Sequence, residues 1–86
     1  MRELEHTIND PDGIHARPAG LFVKEMQKFT SRITVHRGED EGVDGKKLIS
    51  LMKLRLKCGQ TFTVKAEGAD EDAAIEAARV FLTSNL

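Results

Sequence analysis

Residues 9–29, NDPDGIHARPAGLFVKEMQKF, contain the end of a strand and the start of a helix, and the rest of the fold reads outward from them. Asn9, Asp10, Pro11, Asp12 and Gly13 form a dense turn cluster that stops the preceding element. Pro18 then places a helix start within two or three residues of His15, because proline is tolerated in the first turn, where its missing N–H costs nothing. Beyond it Ala19, Phe22, Val23, Met26 and Phe29 recur at helical spacing on one face, with Lys24, Gln27 and Lys28 opposite.

Upstream, Leu4, His6 and Ile8 alternate with Glu3, Glu5 and Thr7 at strand period, so His6 reads as a partly buried structural residue. Downstream, Ile33 and Val35 with Thr34 between them mark a second strand, and His36 is expected after it, exposed. Residues 37–42 read as an exposed connection; Glu39, Asp40 and Glu41 make it a solvated acidic loop with a weak cation site left open. A short third strand is expected around Val43. Leu48, Leu51, Met52 and Arg55 fit a brief helix that ends at Cys58-Gly59, with Gly59 as a left-handed cap. Phe62, Val64 and Ala66 alternate with Thr61, Thr63, Lys65 and Glu67 as a fourth strand, closed by Gly68. Asp70, Glu71 and Asp72 put acids where the dipole of a last helix favours them, and that helix turns Ala74, Ala78, Phe81 and Leu82 inward. The order is βαββαβα. Alternating strands favour an antiparallel sheet with one solvated face and three helices over the other, an α+β, two-layer open-faced sandwich.

The 86 residues fit one small domain, 1–86, with no room for a cleft between lobes. A hydrophobic share of 40% and a charged share of 31% exclude a disordered chain. Thirteen Lys+Arg against fourteen Asp+Glu give a net charge of -1, which argues against a general nucleic-acid binder. The strands also lack base-stacking aromatics apart from Phe62, which faces inward. The single cysteine, Cys58, cannot form an internal disulfide and has no CxxC partner, so it reads as a packed or half-exposed thiol. No apolar run approaches the roughly 18 residues of a membrane span, and the first residues, MRELEHTIND, carry charges where a signal peptide needs an apolar stretch. A cytoplasmic protein without membrane insertion is expected. His6, His15, His36 and Cys58 show no metal-ligand spacing, so no metal site is expected.

The chemistry concentrates in residues 13–20. Free backbone amides at the start of the helix point outward beside the His15 imidazole, and the helix dipole adds partial positive charge. Such an end is a ready anion site, and Arg17 adds a planar fork of donors suited to phosphate oxygens. A neutral imidazole there can attack phosphorus and later leave, while the amides and Arg17 supply positioning and charge neutralisation. The positive surroundings are expected to lower the His15 pKa and keep the ring neutral near pH 7. The same placement also suits a surface or capping histidine.

Gly13-Ile14-His15-Ala16-Arg17-Pro18-Ala19, followed by Leu21-Phe22-Val23-Lys24-Glu25, closely resembles the active-site segment of the HPr family, the histidine phosphocarriers of the bacterial phosphoenolpyruvate-dependent sugar phosphotransferase system. The likeness extends through Phe29-Thr30-Ser31 and Ile33-Thr34-Val35 and resumes from Gly59 to the last helix, being weakest between His36 and Lys47. It implies that His15 accepts a phosphoryl group at Nδ1 from phosphorylated enzyme I, with Arg17 and the backbone N–H groups of Ala16 and Arg17 binding phosphate, and passes it to IIA proteins or domains of sugar permeases. It also implies sheet order 1-4-2-3. No cofactor and a monomer are expected, and, with no substrate pocket of its own, the chain is not expected to be an enzyme in the usual sense. Leu48, Ile49 and Met52 stand where the family docks its partners, and Lys24 and Lys28 could face acidic partners.

One departure stands out. The family's regulatory serine at the start of the second helix falls on Lys47 here, and Ser50 would lie inside the helix, so phosphorylation by an HPr-type serine kinase is not expected. Lys46 and Lys47 oppose the dipole of that helix by a few tenths of a kcal/mol, with no local stabilising reason in the sequence. Two other readings remain: a paralogous phosphocarrier of a regulatory, nitrogen-related branch, and a non-catalytic module binding a transcription factor through Leu48, Ile49 and Met52.

Overall fold

In a computed structural model that describes residues 1–38 and 41–85, strand β1 (Arg2–Thr7) runs antiparallel to β4 (Thr61–Glu67), with Leu4 opposite Val64 and His6 opposite Phe62. Strand β4 also pairs antiparallel with β2 (Arg32–Arg37), Val35 facing Val64 and Ile33 facing Ala66. A short β3 (Val43–Asp44) lies along the other edge of β2, so the sheet order is β1-β4-β2-β3. Helices α1 (Ala16–Met26), α2 (Leu48–Met52) and α3 (Glu71–Asn85) complete the expected βαββαβα order. Glu39 and Asp40 of the acidic loop lie outside the described residues.

Period-two burial explains the sheet. Phe62, Val64 and Ala66 are buried along β4, as Ile33 and Val35 are along β2, while the residues between them reach solvent. Ala19, Phe22, Val23 and Met26 of α1 and Ala74, Ile75, Ala78 and Leu82 of α3 meet that face. The Phe22 and Phe81 rings pack with centroids 5.7 Å apart. Each large side chain buried here contributes about 1.5–3 kcal/mol.

Several boundaries differ from the sequence reading. Helix α1 ends at Met26, so Phe29 is half-buried in the following turn. His36 belongs to β2 and is half-buried rather than exposed. Its Nε2 lies 2.9 Å from the Thr34 hydroxyl, because residues two apart on a strand share a face. His6 is half-buried, and its ring meets Phe62 edge-on at 5.7 Å.

Helix α2 ends at Met52, well before Gly59. Buried Leu54 and Leu56 draw the chain out of the helix, through Arg55 in left-handed backbone (φ 50°). Gly59 is left-handed as expected, at φ 87°. It serves a turn into β4, closed by Gln60 N–H donating to Lys57 O at 3.0 Å, and not a helix cap. Cys58 is exposed in that turn. On α3 the buried stripe includes Ile75, and Phe81 is only half-buried. Lys46 does have a structural reason: its Nζ donates to Phe29 O at 2.6 Å, while Gln27 Nε2 donates to Lys46 O at 3.0 Å. A cation beyond the C-terminal end of α1 complements that helix's dipole.

Candidate functional site

The turn that delivers His15 is closed twice. Gly13 N–H donates to Asp10 O at 2.9 Å, and Asp12 N–H donates to Asp10 Oδ1 at 2.9 Å. Gly13 adopts φ 68°, and a Cβ there would lie 2.6 Å from the Leu56 carbonyl oxygen. A side chain would clash in that space, and L-residues disfavour that backbone. Ile14 N–H then donates to the same Leu56 O at 3.0 Å, which pins the turn against the segment after α2.

His15 follows in extended backbone, φ -122° and ψ 175°, at the N-cap of α1. Its side chain makes no capping hydrogen bond, so the imidazole is not spent on the helix end. The first helical bond runs from Ala19 N–H to His15 O at 3.0 Å. Pro18 has no N–H, and the amides of Ala16 and Arg17 have no acceptor within the helix. His15, Ala16 and Arg17 are exposed, whereas Pro18 and Ala19 are buried and anchor them. No acid occupies the first turn of α1, and the Arg17 guanidinium has no hydrogen-bond or ion-pair partner among the described residues.

The surroundings of the ring are not uniformly positive, as the sequence reading took them to be. Asp10 Oδ2 lies 3.8 Å from His15 Nε2, and donor atoms of Asp10, Asp12 and His15 all fall within 4.8 Å of one another. These are the residues that could approach a cation among those described, although exposed acids commonly cluster without one. The spacing of His and Cys does not reveal this cluster; the Asp-x-Asp of the turn, Asp10-Pro11-Asp12, is its signal in the sequence.

Arg17, Leu21 and Lys24 recur at intervals of four and three along one exposed side of α1, and Lys28 follows, exposed, in the turn after the helix. Leu21, half exposed at 50%, was missed, and that spacing was its signal. Lys28 pairs with Glu25 at 2.9 Å, while Lys24 has no ion pair among the described residues. On α2, Leu51 is buried and holds the helix, whereas Leu48 and Ile49 are exposed, Ile49 at 75%. Met52 is half-buried and lines a shallow depression with Leu48, Ile49, Lys53 and Arg55. Lys47 is the exposed N-cap residue of α2, and Ser50 lies within the helix, half-buried.

A solvent-facing imidazole, the amides of Ala16 and Arg17 and an exposed guanidinium at one helix start suit transient binding of a phosphoryl group. The chain matches the family model described as the PTS HPr component phosphorylation site over residues 2–84. It is 39% identical over 87 residues to the phosphocarrier protein HPr of Mycoplasma genitalium, covering 99% of this chain and 97% of that one. With the phosphocarrier protein HPr of Lysinibacillus sphaericus the identity is 43% over 83 residues, covering 96% and 93%. A solved histidine-containing phosphocarrier protein from Mycoplasma superposes with TM-score 0.91 at 34% identity, covering 96% of this chain and 93% of that one.

Proposed function

This chain belongs to the HPr family of phosphoryl carriers in the phosphotransferase system, and from that premise we propose that His15 is its phosphoryl acceptor, taking the group from phosphorylated enzyme I and passing it to IIA proteins or domains of sugar permeases. The observation that carries this reading is the exposed imidazole at the N-cap of α1, unspent on capping and next to the amides of Ala16 and Arg17.

The phosphoryl group is held as a transient phosphohistidine at Nδ1, and the chain acts as a relay rather than an enzyme. The Ala16 and Arg17 amides and the Arg17 guanidinium neutralise the charge of the oxygens. Partners dock across the exposed side of α1 at Lys24, at Lys28 in the turn just beyond it, and onto Leu48, Ile49 and Met52. Apolar side chains left open on a short helix suit a transient protein contact. With Lys47 at the N-cap of α2, an HPr-type serine kinase finds no acceptor there. The working unit is a single domain, residues 1–86, in the cytoplasm, and a monomer. A solved HPr from Thermoanaerobacter tengcongensis is described as a dimer, so sedimentation at micromolar concentration is the check on the monomer.

Reconstitution tests the function. Purified chain, host enzyme I, phosphoenolpyruvate and a permease should yield sugar phosphate that depends on the chain. Phosphorylation of the chain without onward transfer to any sugar permease would favour a carrier of the nitrogen-related branch.

A further inference from the structure

We propose that Asp10 is a positioning residue that holds the neutral His15 ring in its Nε2–H tautomer, leaving the Nδ1 lone pair for phosphorus; this rests on the phosphocarrier reading of His15. Asp10 is fixed at both its backbone and its side chain. Its carbonyl accepts from Gly13 N–H and its Oδ1 from Asp12 N–H, each at 2.9 Å. Its second oxygen, Oδ2, is thereby aimed at His15 Nε2, 3.8 Å away. A carboxylate only accepts, so the ring nitrogen that faces it is the one that carries hydrogen.

The separation exceeds a direct hydrogen bond, and the orienting force is the charge of the carboxylate on a ring that remains half exposed. Asp12 shares the cluster, but its backbone N–H, not its carboxylate, is what fixes the turn. In transfer, the Nδ1 lone pair forms the new bond to phosphorus. The bond from phosphorus to the donor breaks, and its electron pair stays with the donor atom. Nε2 keeps its proton throughout, so the ring becomes a cation beside Asp10, and the reverse sequence releases the group. Asp10 therefore favours both the reactive tautomer and the charged product.

Asp10→Asn gives a directional test. Its amide oxygen can still accept from Asp12 N–H, which turns the NH2 group toward Nε2 and favours the opposite tautomer. The full chain is examined by 15N NMR of the His15 ring at about pH 9, well above the ordinary imidazole range, and by its phosphorylation rate with enzyme I and phosphoenolpyruvate. The wild type should show Nε2–H, and Asp10→Asn should shift the ring toward Nδ1–H with a rate about tenfold lower. Asp10→Ala, should the first variant disturb the turn, is expected to give a tautomer mixture and an intermediate rate. A wild-type ring that is mainly Nδ1–H, or variants that leave tautomer and rate unchanged, would overturn the proposal. Absence of any phosphoryl group on wild-type His15 would instead sink the carrier reading, and the ring spectra would still decide the tautomer.

Discussion

Asp70 Oδ1 accepts both the backbone N–H of Ser31, at 2.8 Å, and the Ser31 hydroxyl. Its other oxygen takes the Thr30 N–H at 2.8 Å, so the residue before α3 clasps the turn that leads into β2. Ser31 is buried, and loss of the acceptor would leave its donors stranded.

The same clasp is pH-dependent. The Ser31 hydroxyl first, and the Thr30 amide next, hold the Asp70 carboxyl down to about 2 from 3.8. A depressed carboxyl contributes stability that is fully present above its unfolded pKa and is lost as pH falls through its folded one. Asp70→Asn should therefore lower the urea midpoint at pH 6, and its gap from wild type should close between about pH 4 and about pH 2. A gap that stays constant to pH 2 would remove Asp70 as the titrating group.

Gly13→Ala tests the turn beneath His15. Left-handed backbone and the approach of the Leu56 carbonyl together predict a loss of about 2 kcal/mol or more. Because Ile14 N–H shares that carbonyl, phosphorylation should slow as well. Chemical denaturation together with a phosphorylation time course reads both, and an alanine variant of wild-type stability would refute the close approach.

The two lysines before α2 should behave differently. Lys46→Met keeps the aliphatic stem but removes the donor to Phe29 O, at a cost of about 1 kcal/mol. Lys47→Met, at an exposed position, should stay within about 0.5 kcal/mol of wild type. Paired urea titrations decide, and equal effects would deny Lys46 its structural role.

Arg17 and Ile49 are expected to act at different steps. Arg17→Ala removes charge stabilisation at the reacting group, so transfer should fall about tenfold or more even with saturating partner. Ile49→Asp spoils an exposed apolar contact, so it should raise the partner concentration required and leave the saturated rate nearly intact. Steady-state kinetics with enzyme I as the varied component separates the two. The account of either residue fails if its effect appears in the other parameter.

Much of the fold was legible because its elements carry clean periods. Phe62, Val64 and Ala66 announce a half-buried strand, and Pro18 fixes where α1 begins. The segment after α2 was not legible, since Leu48, Leu51, Met52 and Arg55 keep helical spacing past the point where the helix stops. The burial of Leu54 and Leu56, with the Leu56 carbonyl brought against Gly13, shows that the chain has left the helix. The helix start that exposes His15 and Arg17 could be read from local rules. The Asp10 carboxylate facing the ring could not, because its aim depends on a turn whose side-chain bond is set in three dimensions. Lys46 was opaque for a similar reason, its acceptor being seventeen residues away.

The central claim, that His15 carries the phosphoryl group, is tested most directly by incubating the chain with phosphoenolpyruvate and enzyme I and mapping the product by mass spectrometry under alkaline conditions, which spare phosphohistidine. One added phosphoryl group is expected, located on His15 and absent from His15→Ala. A phosphoryl group on His6, His36 or a hydroxyl residue, or undiminished labelling of His15→Ala, would contradict it.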